Sequence, residues 1–211
     1  GVVTEITVRL VPKPAAQLTA LAAFPRLADA CQAVGNILQA GVVPLVTELM
    51  DQGTTRAVED FKPLGLPTDV EALLLVAVDG DAESVKREIA LAAEILRQSG
   101  AREVRHAQTA GESEALWEAR RNVSPAIVRL ARNKLGEDIA VPRSQIPTMV
   151  TRLQGISRAN DVPMVVYGHI GDGNLHPNIL FDRRDADEWA RVQQASAAIF
   201  AVALELGGTL T

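Results

Sequence analysis

The stretch EALLLVAVDG, residues 71–80, constrains the fold most. Seven consecutive apolar residues closed by an Asp-Gly pair are too short and too rich in Val and Leu for a surface helix. They read as a central strand. Strand and helix signals alternate around it. Residues 3–11 (VTEITVRLV) alternate apolar and polar, a half-buried strand closed by Pro12 and Pro14. Residues 26–40 carry apolar positions at helical spacing and stop at Gly41. A strand is expected over 42–51 and a short helix over 52–60. The Pro/Gly-rich loop KPLGLPTD then leads into 71–80. A helix over 81–99 ends at Gly100, and a short strand covers 102–108. Apart from one extra helix this is β-α-β-β-α-β, the ferredoxin-like order.

The second half predicts a helix over 111–122, a break at Ser124-Pro125, a helix to about 134 and a strand over 137–142. A helix over 144–159, strands over 162–170 and 174–181, and a helix over 184–206 follow. These element types resemble a modified second copy, without any residue-level repeat. The expected fold is α+β: a ferredoxin-like α/β sandwich with a large antiparallel-rich sheet, helices on one face, and its β-α-β-β-α-β unit a candidate for duplication.

Composition narrows the class. At 211 residues the chain suits one large domain or two small ones on a shared sheet. Aromatics are 3%, so the core must be aliphatic. A net charge of -5 with scattered Lys and Arg argues against a nucleic-acid partner. No apolar run approaches the roughly 18 residues of a membrane span, and no signal-peptide pattern opens the chain. Cys31 is the sole cysteine; it reads as a small core residue on an amphipathic helix, and the lack of a disulfide framework favours a cytoplasmic location. The first residues begin on a strand pattern and LELGGTLT stops just past a helix terminator, so the sequence is expected to be a fragment of a longer chain.

The chemistry concentrates in YGHIGDGNLHPNIL, residues 167–180, where two of three histidines lie seven positions apart. Asp-Gly between apolar runs is a strong hairpin signal. With Asp172 and Gly173 at the centre of a type I′ turn, His169 faces His176. Alternation then sorts Tyr167, His169, Asn174, His176 and Asn178 onto one face. Met164, Val166, Ile170, Leu175, Pro177, Ile179 and Phe181 fall on the other. Two closely paired neutral imidazoles can share a divalent metal, though a third ligand must come from elsewhere. The bland alternative is two surface histidines flanking a turn. His106 reads as structural or exposed, and Glu137 and Asp138 as turn residues.

GHIGDGNLH closely resembles the Gly-His-x-Gly-Asp-Gly-Asn-x-His signature of the C-terminal domain of FAD-linked oxidases, a group that includes D-2-hydroxyglutarate dehydrogenase, D-lactate dehydrogenases and the large glycolate oxidase subunit. ELMD, LWEARRNVSPAI and EDIAVPRS resemble the family's internal blocks, in the right order, and GVVTEITVRLVPKP is similar to its segment leaving the FAD domain. The resemblance covers the whole chain, residues 1–211. It implies that His169 and His176 bind a metal, zinc first and iron or manganese as alternatives. The third ligand, a glutamate, and a neighbouring general-base histidine belong to a segment expected beyond Thr211. It further implies that Arg120 and Ser124 contact the substrate carboxylate, that Lys134 and Asn178 are further substrate contacts, and that Asn174 lies against the cofactor.

The residues agree with part of this. Arg120 and Ser124 are four apart, and Ser124-Pro125 has the pattern of an N-cap followed by Pro at the first helical position. Arg120 and Arg121 could equally be surface charges. The implied protein is a flavin-dependent dehydrogenase of small D-2-hydroxy acids, with FAD held mainly by a separate domain and an external electron acceptor. A homodimer is compatible with it. Two rivals stand beside it: a metal-free flavin oxidase on the same scaffold, and a non-catalytic ferredoxin-like binding module.

Overall fold

The expected central strand forms as β3, Ala72–Gly80, buried along its first seven residues. It is held antiparallel between β1 (Ala16–Phe24) and β2 (Val46–Asp51). This is a computed structural model, and it describes residues 2–210. α1 (Leu27–Gln39) joins β1 to β2, α2 (Gln52–Phe61) joins β2 to β3, and α3 (Ala82–Gln98) leads to β4 (Glu103–His106). The strand order β4-β1-β3-β2 is the ferredoxin-like one, with α2 as the extra helix.

β1 corrects the sequence reading. Residues 2–14 have no regular structure and lie exposed, Leu10 at 86%. Their alternation describes a strand with one apolar face, but they gain no ladder partner within the described residues. The strand that does form, AQLTALAAF, has its last six residues buried. It is covered on both faces, so it shows no alternation, and its alanines give little strand propensity.

The second unit repeats the topology. β6 (Ile139–Ala140), α6 (Ile146–Asn160), β7 (Met164–His169), β8 (Asn174–Phe181), α7 (Ala186–Glu205) and β9 (Thr209–Leu210) follow one another as β-α-β-β-α-β. Their order in the sheet is β7-β8-β6-β9. Numbered within its own unit this is 2-3-1-4, the reverse of the first unit's 4-1-3-2. The equivalent strands β2 and β7 meet antiparallel at the seam, Glu48 opposite His169 and Met50 opposite Tyr167. A two-fold relation between units requires such a pairing, and it makes one nine-stranded sheet.

Between the units run α4 (Ala110–Arg121), α5 (Val123–Ile127) and β5 (Asn133–Gly136), which pairs with β8. The helix expected to reach 134 therefore stops at Ile127. Val128 and Leu130 are exposed, so the apolar spacing there has no core to face. The ladder with β8 takes residues 133–136 instead. The strand expected over 137–142 contracts to Ile139–Ala140.

Helices cover both faces, not one. α1, α3, α6 and α7 pack on one side over Phe24, Leu74, Leu153 and Ile199. α2, α4 and α5 cover part of the other, where Val58, Ala119 and Ile127 meet Met50, Leu73 and Leu75. Two covered faces explain the unbroken apolar run of β3. Asp51 ties the seam: its Oδ1 accepts from Thr54 N at the start of α2 (2.8 Å), and its Oδ2 accepts from Val166 N of β7 (2.7 Å).

Candidate functional site

The site begins with the register of the β7–β8 hairpin. Tyr167, not His169, stands opposite His176, and Val165 opposite Asn178. The turn is a loop over 170–173 in which the His169 carbonyl accepts from Asp172 N (3.2 Å). Asp172 does not take the positive φ that a type I′ turn needs; Gly173 does, at 90°. The reason is close approach. A Cβ on Gly173 would stand 2.1 Å from Val141 O, and one on Gly171 2.6 Å from Thr47 Oγ1. The loop is thus pressed against β2 and the residue after β6. The register differs from the expected one by two residues, and an even shift leaves every side chain on its face. The histidines are diagonal neighbours, ring centroids 5.2 Å apart and planes at 87°.

Three elements converge on this face. Glu48, 3% exposed, points from β2. Its Oε1 pairs with His169 Nδ1 and its Oε2 accepts from Arg120 Nε at 2.7 Å. Arg120 comes from the last turn of α4 and lies over the Tyr167 ring, Cζ 5.0 Å from the centroid. The Tyr167 ring is in turn 5.1 Å from that of His176. Beyond it, His176 Nδ1 is 3.5 Å from Asp138 Oδ1, which also accepts from Asn174 Nδ2 at 2.6 Å. Burial pushes the His176 pKa below its usual value, opposed by the Asp138 carboxylate and reinforced by the charges of His169 and Arg120. The neutral imidazole so favoured is the form that ligates metals.

Residues 13–211 match the family of FAD linked oxidases, C-terminal domain. The chain belongs to that family. It is 43% identical over 211 residues to the glycolate oxidase subunit GlcD of Bacillus subtilis (strain 168), covering all of this chain and 45% of that protein. Against GlcD of Escherichia coli (strain K12) the identity is 36%, over all of this chain and 42% of the relative. It is 29% identical to a probable mitochondrial D-lactate dehydrogenase of Danio rerio, again over all of this chain and 42% of that protein. The chain thus spans less than half the length of these relatives. Among solved structures, p-cresol methylhydroxylase with substrate bound superposes with a TM-score of 0.71 at 12% identity, over 95% of this chain and 45% of that one. That likeness speaks to the fold alone.

Within this FAD-linked oxidase domain the expected site residues divide. Lys134 lies on β5, and its Nζ donates to Asn178 Oδ1 at 3.0 Å. Asn178 is 2% exposed and donates to the His176 carbonyl (2.9 Å). These two, with Arg120, His169, His176 and Asn174, share one side of the sheet. Ser124 comes from α5, which packs on the same side of the sheet. It sits exposed inside α5, and Asn122 occupies the helix junction, so the N-cap reading of Ser124-Pro125 is corrected. Arg121 pairs with Glu114 on the surface (2.9 Å). His106 is on β4 beside Gln108, at the opposite end of the first unit from the seam.

Two residues escaped the sequence reading. Asp138 is more than a turn residue, since it reaches both His176 and Asn174. Glu48 could have been found as the one charge inside the otherwise buried run TELM of β2. Two imidazoles, with both Nδ1 atoms turned to carboxylates, suit part of a metal shell. Among the described residues no group of three or more His, Cys, Asp or Glu is placed to hold a metal ion.

Proposed function

We propose that residues 1–211 are the substrate-binding domain of a longer flavin-dependent dehydrogenase that oxidises a small D-2-hydroxy acid, of the glycolate, D-lactate or D-2-hydroxyglutarate type, to the 2-oxo acid. The observation that carries this reading is the junction of Arg120 with the two histidines on one sheet face beside the seam. Arg120 engages Glu48 through Nε, which leaves the far edge of its fork to hold a carboxylate through both Nη atoms. Lys134 and Asn178 lie on the same side and would contact the remaining substrate oxygens. Ser124 and Asn174 complete the proposed set, Asn174 through its Oδ1 toward the cofactor.

A divalent metal on His169 and His176, zinc before iron or manganese, would supply Lewis acidity toward the 2-hydroxyl. Its third protein ligand would come from outside the described residues. FAD would supply the two-electron acceptor. The residues present do not suit its diphosphate: Gly168, Gly171 and Gly173 belong to a hairpin, not to the start of a helix. The main flavin binding is therefore assigned to another region of the protein, and this chain's own part is to grip the carboxylate and orient C2, with Asn174 toward the cofactor. No described helix is long and apolar enough to cross a membrane. The proposed enzyme is cytoplasmic, passes its electrons to a separate acceptor and is compatible with a homodimer.

The test is anaerobic mixing of the full-length flavoprotein with glycolate, D-lactate, D-2-hydroxyglutarate and the corresponding alcohols lacking a carboxylate. Flavin absorbance should bleach with at least one D-2-hydroxy acid and with none of the simple alcohols. An unbleached flavin with every acid would overturn the proposal.

A further inference from the structure

We propose that Glu48 is a positioning residue that fixes His169 as its Nδ1–H tautomer and holds Arg120 in the same geometry. This deepens the reading above and rests on it. Glu48 stands directly opposite His169 in the β2–β7 ladder, so the seam between the two units is what brings them together. A carboxylate is an acceptor at both oxygens, and the guanidinium is a donor only. Oε2 receives the Arg120 Nε hydrogen, and Oε1 faces His169 Nδ1. With an acceptor there, Nδ1 must carry the imidazole hydrogen, and the lone pair is left on Nε2, the nitrogen turned away from Glu48. A carboxylate behind a ligating histidine sets its tautomer and ring orientation in this way.

Both oxygens of Glu48 are engaged, which separates this role from ligation. Glu48 and the two histidines do not form a group able to hold a metal. The ends of its partners that point away from it, Nε2 of His169 and the Nη atoms of Arg120, make no hydrogen bonds among the described residues. Those are the ends the proposed function needs. One buried carboxylate thus fixes the spacing between the group that grips the substrate carboxylate and the group that faces its hydroxyl.

The experiment uses full-length protein, stripped of metal and labelled with ¹⁵N-histidine, and records the ring nitrogens of neutral His169. The wild type should show hydrogen on Nδ1. Glu48→Gln keeps the shape but offers one acceptor and one amide donor. With the acceptor on Arg120, the amide meets His169 Nδ1, and the hydrogen should move to Nε2. Zn²⁺ alone, titrated against a competing chelator, should bind the variant about 10–100-fold more weakly. A merely structural role would lower the melting temperature without moving the tautomer. Wild-type His169 with its hydrogen on Nε2 would overturn the proposal, and this needs no variant to fold. An unchanged tautomer and Zn²⁺ affinity in Glu48→Gln would overturn it as well. If wild-type protein bound no Zn²⁺, the metal reading of the site would fail, while the tautomer would still decide the role of Glu48.

Discussion

The corner between β2 and β3 and the corner between β7 and β8 hold the same place in the two units, yet they are built differently. The first carries the ten-residue helix α2; the second is the loop over 170–173. α2 folds across the sheet and closes the smaller core with Ala57 and Val58. The short loop, with Ile170 buried in the main core, puts no helix across the opposite face, and there the histidines stand. The repeated topology gives two equivalent corners, and only one of them carries a helix across the sheet. Glu48 and Asp51 reach across from the side with the helix.

The comparison is broken most sharply at the histidines. In the full-length enzyme His169→Ala or His176→Ala should lower kcat by orders of magnitude and deplete bound metal, because a metal ligand contributes several kcal/mol of charge stabilisation. His106→Ala, at the far end of the first unit, should be nearly silent. Normal rate and metal content in both hairpin variants would remove the site from this corner.

A smaller effect is expected at the arginines. Arg120→Lys keeps the charge but gives up the bidentate fork and the bond to Glu48. Losing one charge-assisted hydrogen bond costs about 1.5–3 kcal/mol, roughly one to two decades in kcat/KM. Arg121→Lys, whose ion pair is with surface Glu114, should cost little. Equal losses in steady-state kinetics would mean that the α4 face has been misassigned.

The smallest effects concern the backbone beneath the site. A Cβ on Gly168 would lie 2.4 Å from Asn174 O and 2.8 Å from Leu175 Cα. Gly168→Ala should therefore destabilise the protein by about 1–3 kcal/mol, as overpacking does. Gly155, within α6, has nothing within 4 Å of such a Cβ, and Gly155→Ala should gain about 0.5–1 kcal/mol. Denaturant melts of the two variants check the opposite signs.

These contrasts show what local sequence could carry. The faces of the hairpin were legible because alternation survives an even slip in register, whereas the register itself depended on Thr47 of β2 and Val141 just after β6 crowding the loop. The β-α-β-β-α-β order and its modified second copy were legible from element types even with the first strand misplaced: β1 lay in an alanine-rich run buried on both faces, and the alternating 3–11 segment drew the assignment instead. Lys134 was assigned to a helix because its strand exists only through pairing with β8. Glu48 and Asp138 come near the histidines through strand order, which no spacing along the chain encodes.

The central claim is that one sheet face at the seam receives substrate carboxylate and metal together. A crystal structure of the full-length enzyme with its metal and a non-reactive 2-hydroxy-acid analogue tests it most directly. Anomalous density should lie on Nε2 of both His169 and His176, with the analogue's carboxylate on the Nη edge of Arg120. Metal density away from the histidine pair, or a carboxylate held by other cations while Arg120 faces only Glu48, would contradict the account.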